Sequence, residues 1–107
     1  MIVDVRKYRT FPRRLHAHLE IYEKHGLEAQ RRHIGEPVAF LLAETGELNS
    51  YMHLWAYENA GDREQRRAAL ANDPSWKEYL RASGEAGNLL HQQNQLMVPA
   101  HFAPIKR

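Results

Sequence analysis

Residues 48–81 read LNSYMHLWAYENAGDREQRRAALANDPSWKEYLR, and this stretch decides the fold. Tyr51, His53, Trp55 and Tyr57 stand at every second position. An extended strand over residues 49–58 therefore puts all four side chains on one face, with Met52, Leu54 and Ala56 on the other. Neither face suits water. Two capped helical starts follow. Asp62 is placed to cap the first, with Gln65 three positions on to reach back. Asp73 caps the second, and Pro74 takes the first helical position, where its missing N–H does no harm.

Working outward, Val38 to Glu44 carries the apolar run VAFLLA, which predicts a strand buried on both faces. Thr45-Gly46-Glu47 joins it to the aromatic strand as a hairpin. At the other end of the chain, Val3 and Val5 alternate with Asp4, Arg6 and Tyr8, a strand over residues 2–9 that Pro12 ends. Leu15, Leu19, Tyr22 and Gly26 recur at helical spacing, and Gly26 is expected to interrupt that helix or to let it pack closely. A second helical piece, 27–33, ends at Gly35 with Arg31, Arg32 and His33 in its last turn. After residue 74, Trp76, Leu80 and Ser83 form the expected inward stripe, and Gly84 and Gly87 loosen the chain. A last strand lies within residues 91–98. The tail AHFAPIKR is expected to pack as an extended arm anchored by Phe102 and Ile105.

The order strand, helix, strand, strand, helix, strand is the ferredoxin-like βαββαβ unit, an α+β fold with a four-stranded antiparallel sheet. Right-handed crossovers place both helical segments on one face of it. The aliphatic face, Val3, Val5, Met52, Leu54 and Ala56, is expected to meet the helices. The aromatic face is then left open, with a patch large enough to call for a second copy packing sheet to sheet.

Composition sets limits. At 107 residues the chain is expected to be one domain, 1–107. It has no cysteine, which excludes disulfides, a thiolate nucleophile and a thiolate zinc site, and fits a cytoplasmic setting. The opening MIVDVRKYRT lacks the apolar run of a signal peptide, and no stretch approaches the roughly 18 apolar residues of a membrane span. The formal charge is only +2 and acids are interleaved with bases, so nucleic acid is not an expected partner.

The chain resembles the NIPSNAP family. The resemblance rests on VDVRKYR at Val3 to Arg9, ETGELN at Glu44 to Asn49, HLWAYE at His53 to Glu58, DREQRRAAL at Asp62 to Leu70, DPSWKEYL at Asp73 to Leu80 and LMVPAHFAPIK at Leu96 to Lys106. It covers essentially the whole chain. It departs at Arg13, where the family carries Gly after the proline, so the start of that helix is expected to differ. The resemblance implies a dimeric α+β barrel, two ferredoxin-like sheets packed face to face. It supplies no catalytic residues. Cofactor-independent monooxygenases and haem-degrading enzymes share that barrel, an analogy of fold alone.

Arg6, Tyr8, Tyr51, His53, Trp55 and Tyr57 are the candidate ligand-pocket residues, expected to line the space between the sheet and its partner. In one reading Arg6 pairs an anionic group and His53 or a tyrosine moves a proton. In the other the same side chains are a hydrogen-bonded dimer core. The seven histidines show no metal-ligand spacing: His16 and His18 are two apart on a helix and do not share a face. No metal and no cofactor is expected. Ser50, Ser75 and Ser83 sit in no nucleophile elbow. Arg63, Arg66 and Arg67 read as a solvated helix face, and Trp76 and Tyr79 as core packing. The function expected is that of a homodimeric structural or small-ligand-binding protein. The alternative is a cofactor-independent monooxygenase or isomerase acting on a small aromatic or polyketide-like substrate.

Overall fold

Four strands pair antiparallel in the order β2-β3-β1-β4 in the computed structural model, which describes residues 1–105. They are β1 (Ile2–Thr10), β2 (Ala39–Leu42), β3 (Ser50–Tyr57) and β4 (Leu89–Met97). Between β1 and β2 run α1 (Leu15–Ile21), a π-helical turn (Tyr22–Gly26) and α2 (Leu27–Ile34). Between β3 and β4 run α3 (Ala60–Ala71) and α4 (Pro74–Ala86). The expected α+β, βαββαβ architecture is the observed one, with each crossover built from more than one helical piece.

Local chemistry accounts for most boundaries. Thr10 closes β1 by donating its N–H to the Asn49 carbonyl at 2.8 Å. Arg13 then takes φ 68°, a left-handed conformation that a Cβ disfavours, and its N–H donates to Asn49 Oδ1 at 3.1 Å. This is the position where the resembled family carries Gly. Gly26 does not break the helical run; the π turn passes through it into α2. A Cβ on Gly26 would stand 2.9 Å from Tyr79 Cγ, so its bareness lets α4 lie directly on the helix backbone. Gly35, at φ 92°, stops α2.

The cap of α3 lies earlier than expected. Asn59 Oδ1 accepts from the Asp62 N–H at 2.8 Å, and the Asp62 carboxylate accepts from the Glu58 N–H at 3.0 Å. Asn59 thus takes the cap role expected of Asp62, and Asp62 takes the reaching-back role expected of Gln65, because Ala60 is already helical. Asp73 caps α4 as expected, accepting from the Ser75 N–H at 2.8 Å. The same carboxylate takes Arg32 at 2.6 Å and His33 at 2.8 Å, so one cap also fastens α2 to the start of α4. Gly87, in the left-handed region at φ 65°, ends α4 rather than loosening it. On α4 it is Tyr79 that is buried; Leu80, expected inward, is 54% exposed, since it falls one residue past the buried stripe.

The main correction concerns the two faces of the sheet. Register places Asp4 opposite Trp55, Arg6 opposite His53 and Tyr8 opposite Tyr51, so these six share a face. That face is the one the helices cover. Trp55 and Tyr57 pack in one core cluster with Ala29 and Ile34 of α2 and Leu70 of α3. The other face carries Val3 and Ala56, which are buried, Val5, Met52 and Leu54, only half-buried, and Leu41 and Met97, which are exposed. The expected assignment was therefore inverted. Alternation tells which residues share a face; it does not tell which face meets the helices when both are apolar. The inward helix surfaces decide, and Tyr22, Trp76 and Tyr79 meet the aromatic side.

Two further expectations fail for reasons of position. β2 was expected to be buried on both faces, yet Leu41 and Leu42 are 57% and 46% exposed. β2 is a short edge strand with a neighbour on one side only. In the tail, Phe102 is 80% exposed and anchors nothing; Ile105 is half-buried. The tail reading extended to Lys106 and Arg107, which lie outside the described residues.

Candidate functional site

The floor of the site is the β1–β3 ladder. His53 is stacked beside Phe40 of β2 at 5.0 Å between ring centres, and Tyr8 meets it edge-on at 4.9 Å. Phe40 also stacks on Tyr51, 5.4 Å away and nearly parallel. The roof comes from the helices. The π turn presents Tyr22, which stacks on Phe40 at 5.5 Å and meets Tyr79 of α4 edge-on at 5.7 Å. The Tyr22 hydroxyl donates to Gln30 Oε1. A π turn shifts the helical register by a residue, and such turns recur at functional sites. Here it coincides with the residues that roof the site.

Floor and roof do not close on one another. They enclose a partly open cavity of about 340 Å³. Its walls are mainly aromatic, with Gln30, Gln92 and Ser83 as neutral polar groups and Arg6 and Arg67 as cations. Of the candidate residues named from the sequence, Arg6, Tyr8, Tyr51 and His53 line this cavity, whereas Trp55 and Tyr57 do not. Those two belong to the core cluster. The cavity lies between sheet and helices, within one chain, and not between sheet and partner. Tyr22, Gln30, Phe40, Arg67, Trp76 and Tyr79 are lining residues that sequence reasoning missed. Spacing could have pointed to Trp76 and Tyr79, three apart on a helix. Arg67, in a run of arginines with helical neighbours, carries no signal of its own.

The hydrogen bonding around His53 is one-sided. Trp55 Nε1–H donates to His53 Nδ1 at 2.7 Å. Indole nitrogen is a donor only, so Nδ1 must be the bare acceptor and the imidazole proton sits on Nε2. His53 is 4% exposed, and its Nε2 has no partner. Burial pushes its pKa down to about 3, and the charge of Arg6 works in the same direction. His53 is therefore a neutral donor with nothing to donate to. His18, fully buried on α1, shares a 2.7 Å hydrogen bond between its Nε2 and the Tyr51 hydroxyl, and burial lowers its pKa too.

On the same sheet face, beside the floor, lies a buried carboxylate. Asp4 accepts from Arg6 at 3.0 Å, from Arg63 of α3 at 3.2 Å and from Asn94 of β4 at 3.0 Å. Burial alone would raise its pKa; the Asn94 hydrogen bond and the two guanidinium groups outweigh that and hold it below the usual carboxylate range. Arg6 also donates Nε–H to the Tyr8 hydroxyl at 3.0 Å. Its orientation is thus set from both sides. Among the described residues no group of three or more His, Cys, Asp or Glu is placed to hold a metal ion.

A four-stranded antiparallel sheet with its helices on one face makes this a ferredoxin-like α+β protein. Within that class the NIPSNAP family model matches residues 3–104, and the chain belongs to the NIPSNAP family. It is 34% identical to a protein of Agrobacterium tumefaciens of known structure, with a TM-score of 0.90 over 99% of this chain and 100% of that one. A NIPSNAP-like domain protein from Burkholderia xenovorans is 34% identical, with a TM-score of 0.87 over 96% and 88%. The human protein NipSnap homolog 3A is 33% identical over 78 residues, 72% of this chain. The chain spans 31% of the length of that relative. A putative antibiotic biosynthesis monooxygenase from Nitrosomonas europaea shares the fold with a TM-score of 0.65 at 10% identity. No described helix is long and apolar enough to cross a membrane.

Proposed function

We propose that this chain is a homodimeric small-ligand-binding protein whose ligand sits between the aromatic sheet face and the helices of each subunit. One observation carries the ligand half of the reading. His53 lines the cavity of about 340 Å³, and its Nε2–H is a buried donor that no group among the described residues satisfies. An unmet buried donor is costly, and an aromatic cavity with a few convergent polar groups is the usual form of a ligand site. The dimer half rests on the open face. Val5, Met52 and Leu54 lie half-buried there beside exposed Leu41 and Met97, a surface suited to a second sheet.

Binding is favoured over proton transfer. A general base works best with a pKa near the operating pH, and a histidine pushed down to about 3 is a poor one. The monooxygenase-like alternative has only the shared fold behind it, at 10% identity.

Native mass spectrometry and light scattering test both halves. The expected species is a dimer of twice 12.5 kDa that retains a small molecule after gentle purification. A species of 12.5 kDa at micromolar concentration sinks the dimer. A dimer that carries no compound, and binds none in a thermal-shift screen of aromatic compounds, sinks the pocket.

A further inference from the structure

Three features of the cavity constrain what fits it, and together they specify a charge. The first is the tautomer of His53. Because Trp55 occupies Nδ1, the unpartnered nitrogen can only donate, so a ligand that reaches it has to present an acceptor. The second is the balance of charge. Arg6 and Arg67 line the cavity and no Asp or Glu does, among the described residues. Asp4, the carboxylate that pairs with Arg6, is already shared with Arg63 and Asn94, so it does not neutralise both cavity arginines. The third is shape. Phe40, Tyr51 and His53 form stacked walls with ring centres 5.0–5.4 Å apart, and Tyr22 extends the stack from above.

We infer that the ligand is a planar, conjugated organic anion, a carboxylate or an enolate, whose acceptor oxygen takes the His53 Nε2–H while Arg6 and Arg67 balance its charge. This rests on the ligand-binding reading above and deepens it. The flat π system lies against the ring stack, where offset stacking adds to simple burial. The oxygen meets a donor whose tautomer Trp55 has already set. A cation would meet two guanidinium groups and a donor, with no acceptor of matching charge. A neutral alcohol could satisfy His53 but would bring no charge to set against the cavity arginines.

Isothermal titration at neutral pH with three probes of one shape separates these cases: cinnamate, cinnamyl alcohol and cinnamylammonium. Cinnamate is expected to bind about tenfold or more tighter than the alcohol, a difference of about 1.4 kcal/mol, and the ammonium not measurably. Arg67→Gln is expected to remove most of the preference for cinnamate while leaving alcohol binding in place. His53→Phe is expected to weaken cinnamate about tenfold, with its fold checked by thermal melting; Arg67→Gln keeps the test decisive should His53→Phe not fold. Equal binding of cinnamate and the alcohol overturns the anion assignment and leaves the pocket standing. Binding of none of the three probes, in a protein that melts cooperatively, overturns the pocket reading itself.

Discussion

Trp55 and Tyr57 share a strand face with Tyr51 and His53, yet the two pairs live in different surroundings. The first pair is sealed by Ala29, Ile34 and Leu70, small or aliphatic residues that fit down between the rings. The second pair faces Tyr22 and Tyr79, rigid rings carried on a π turn and on α4, while Trp76 of α4 reaches both ends. Rings meeting rings edge-on or stacked leave gaps that aliphatic side chains would fill. One continuous ladder thus serves as core at one end and as cavity wall at the other, and what differs is the helix surface above it.

That contrast can be broken from either end. Trp55→Ala should have the largest effect, a loss of about 3–5 kcal/mol in urea denaturation, because it empties a sealed site. A loss under about 1 kcal/mol would show that the two ends are not different in packing. The next effect is a dependence on pH. Below pH 6.5 the unfolded chain protonates His53, while the folded chain refuses the proton until about pH 3. Stability should therefore fall as pH falls through that window and be insensitive to this group above it. The slope from one such group is at most about 1.4 kcal/mol per pH unit. His53→Phe should flatten the slope, and His18, also pushed down by burial, should keep it from vanishing. An unchanged slope in the variant would place the titration elsewhere. The smallest effect is expected from Gly26→Ala. The new methyl would meet Tyr79 at 2.9 Å and push α4 outward. Overpacking of this kind costs about 1–3 kcal/mol, and ligand affinity should change with it. A variant as stable as the parent and unaltered in binding would mean that α4 does not rest on this contact.

Much of this architecture was legible before any coordinates. Period-two alternation located β3, and Asp73-Pro74 located the start of α4, because both signals are local backbone chemistry. The order of elements followed, and with it the sheet. Arg6, Tyr8, Tyr51 and His53 were identifiable as a cluster because they alternate on strands. The layer they face was not, since that depends on side chains such as Tyr22 and Tyr79 contributed from distant parts of the chain. Gln30 and Arg67 were invisible for the same reason: nothing in their neighbourhoods distinguishes them from exposed helix residues. The α3 cap at Asn59 is hard to pick from sequence because Asn and Asp cap equally well, and Asp62 is the partner that reaches back.

The pairing of β1 has a consequence for how the chain reaches this state. β1 precedes every other strand in sequence, yet its two ladder partners are β3 and β4, with Val3 set against Ala56 on one side and against Met97 on the other. The hydrogen bond from Asn94 to Asp4 closes a span of 90 residues. During synthesis β1 must wait for β3 on one edge and, longer still, for β4 on the other. The loop entropy of that closure falls before its contacts repay it, which makes folding slow for a chain of this size. A strand waiting with both edges open is also where a crowded nascent chain would first go astray.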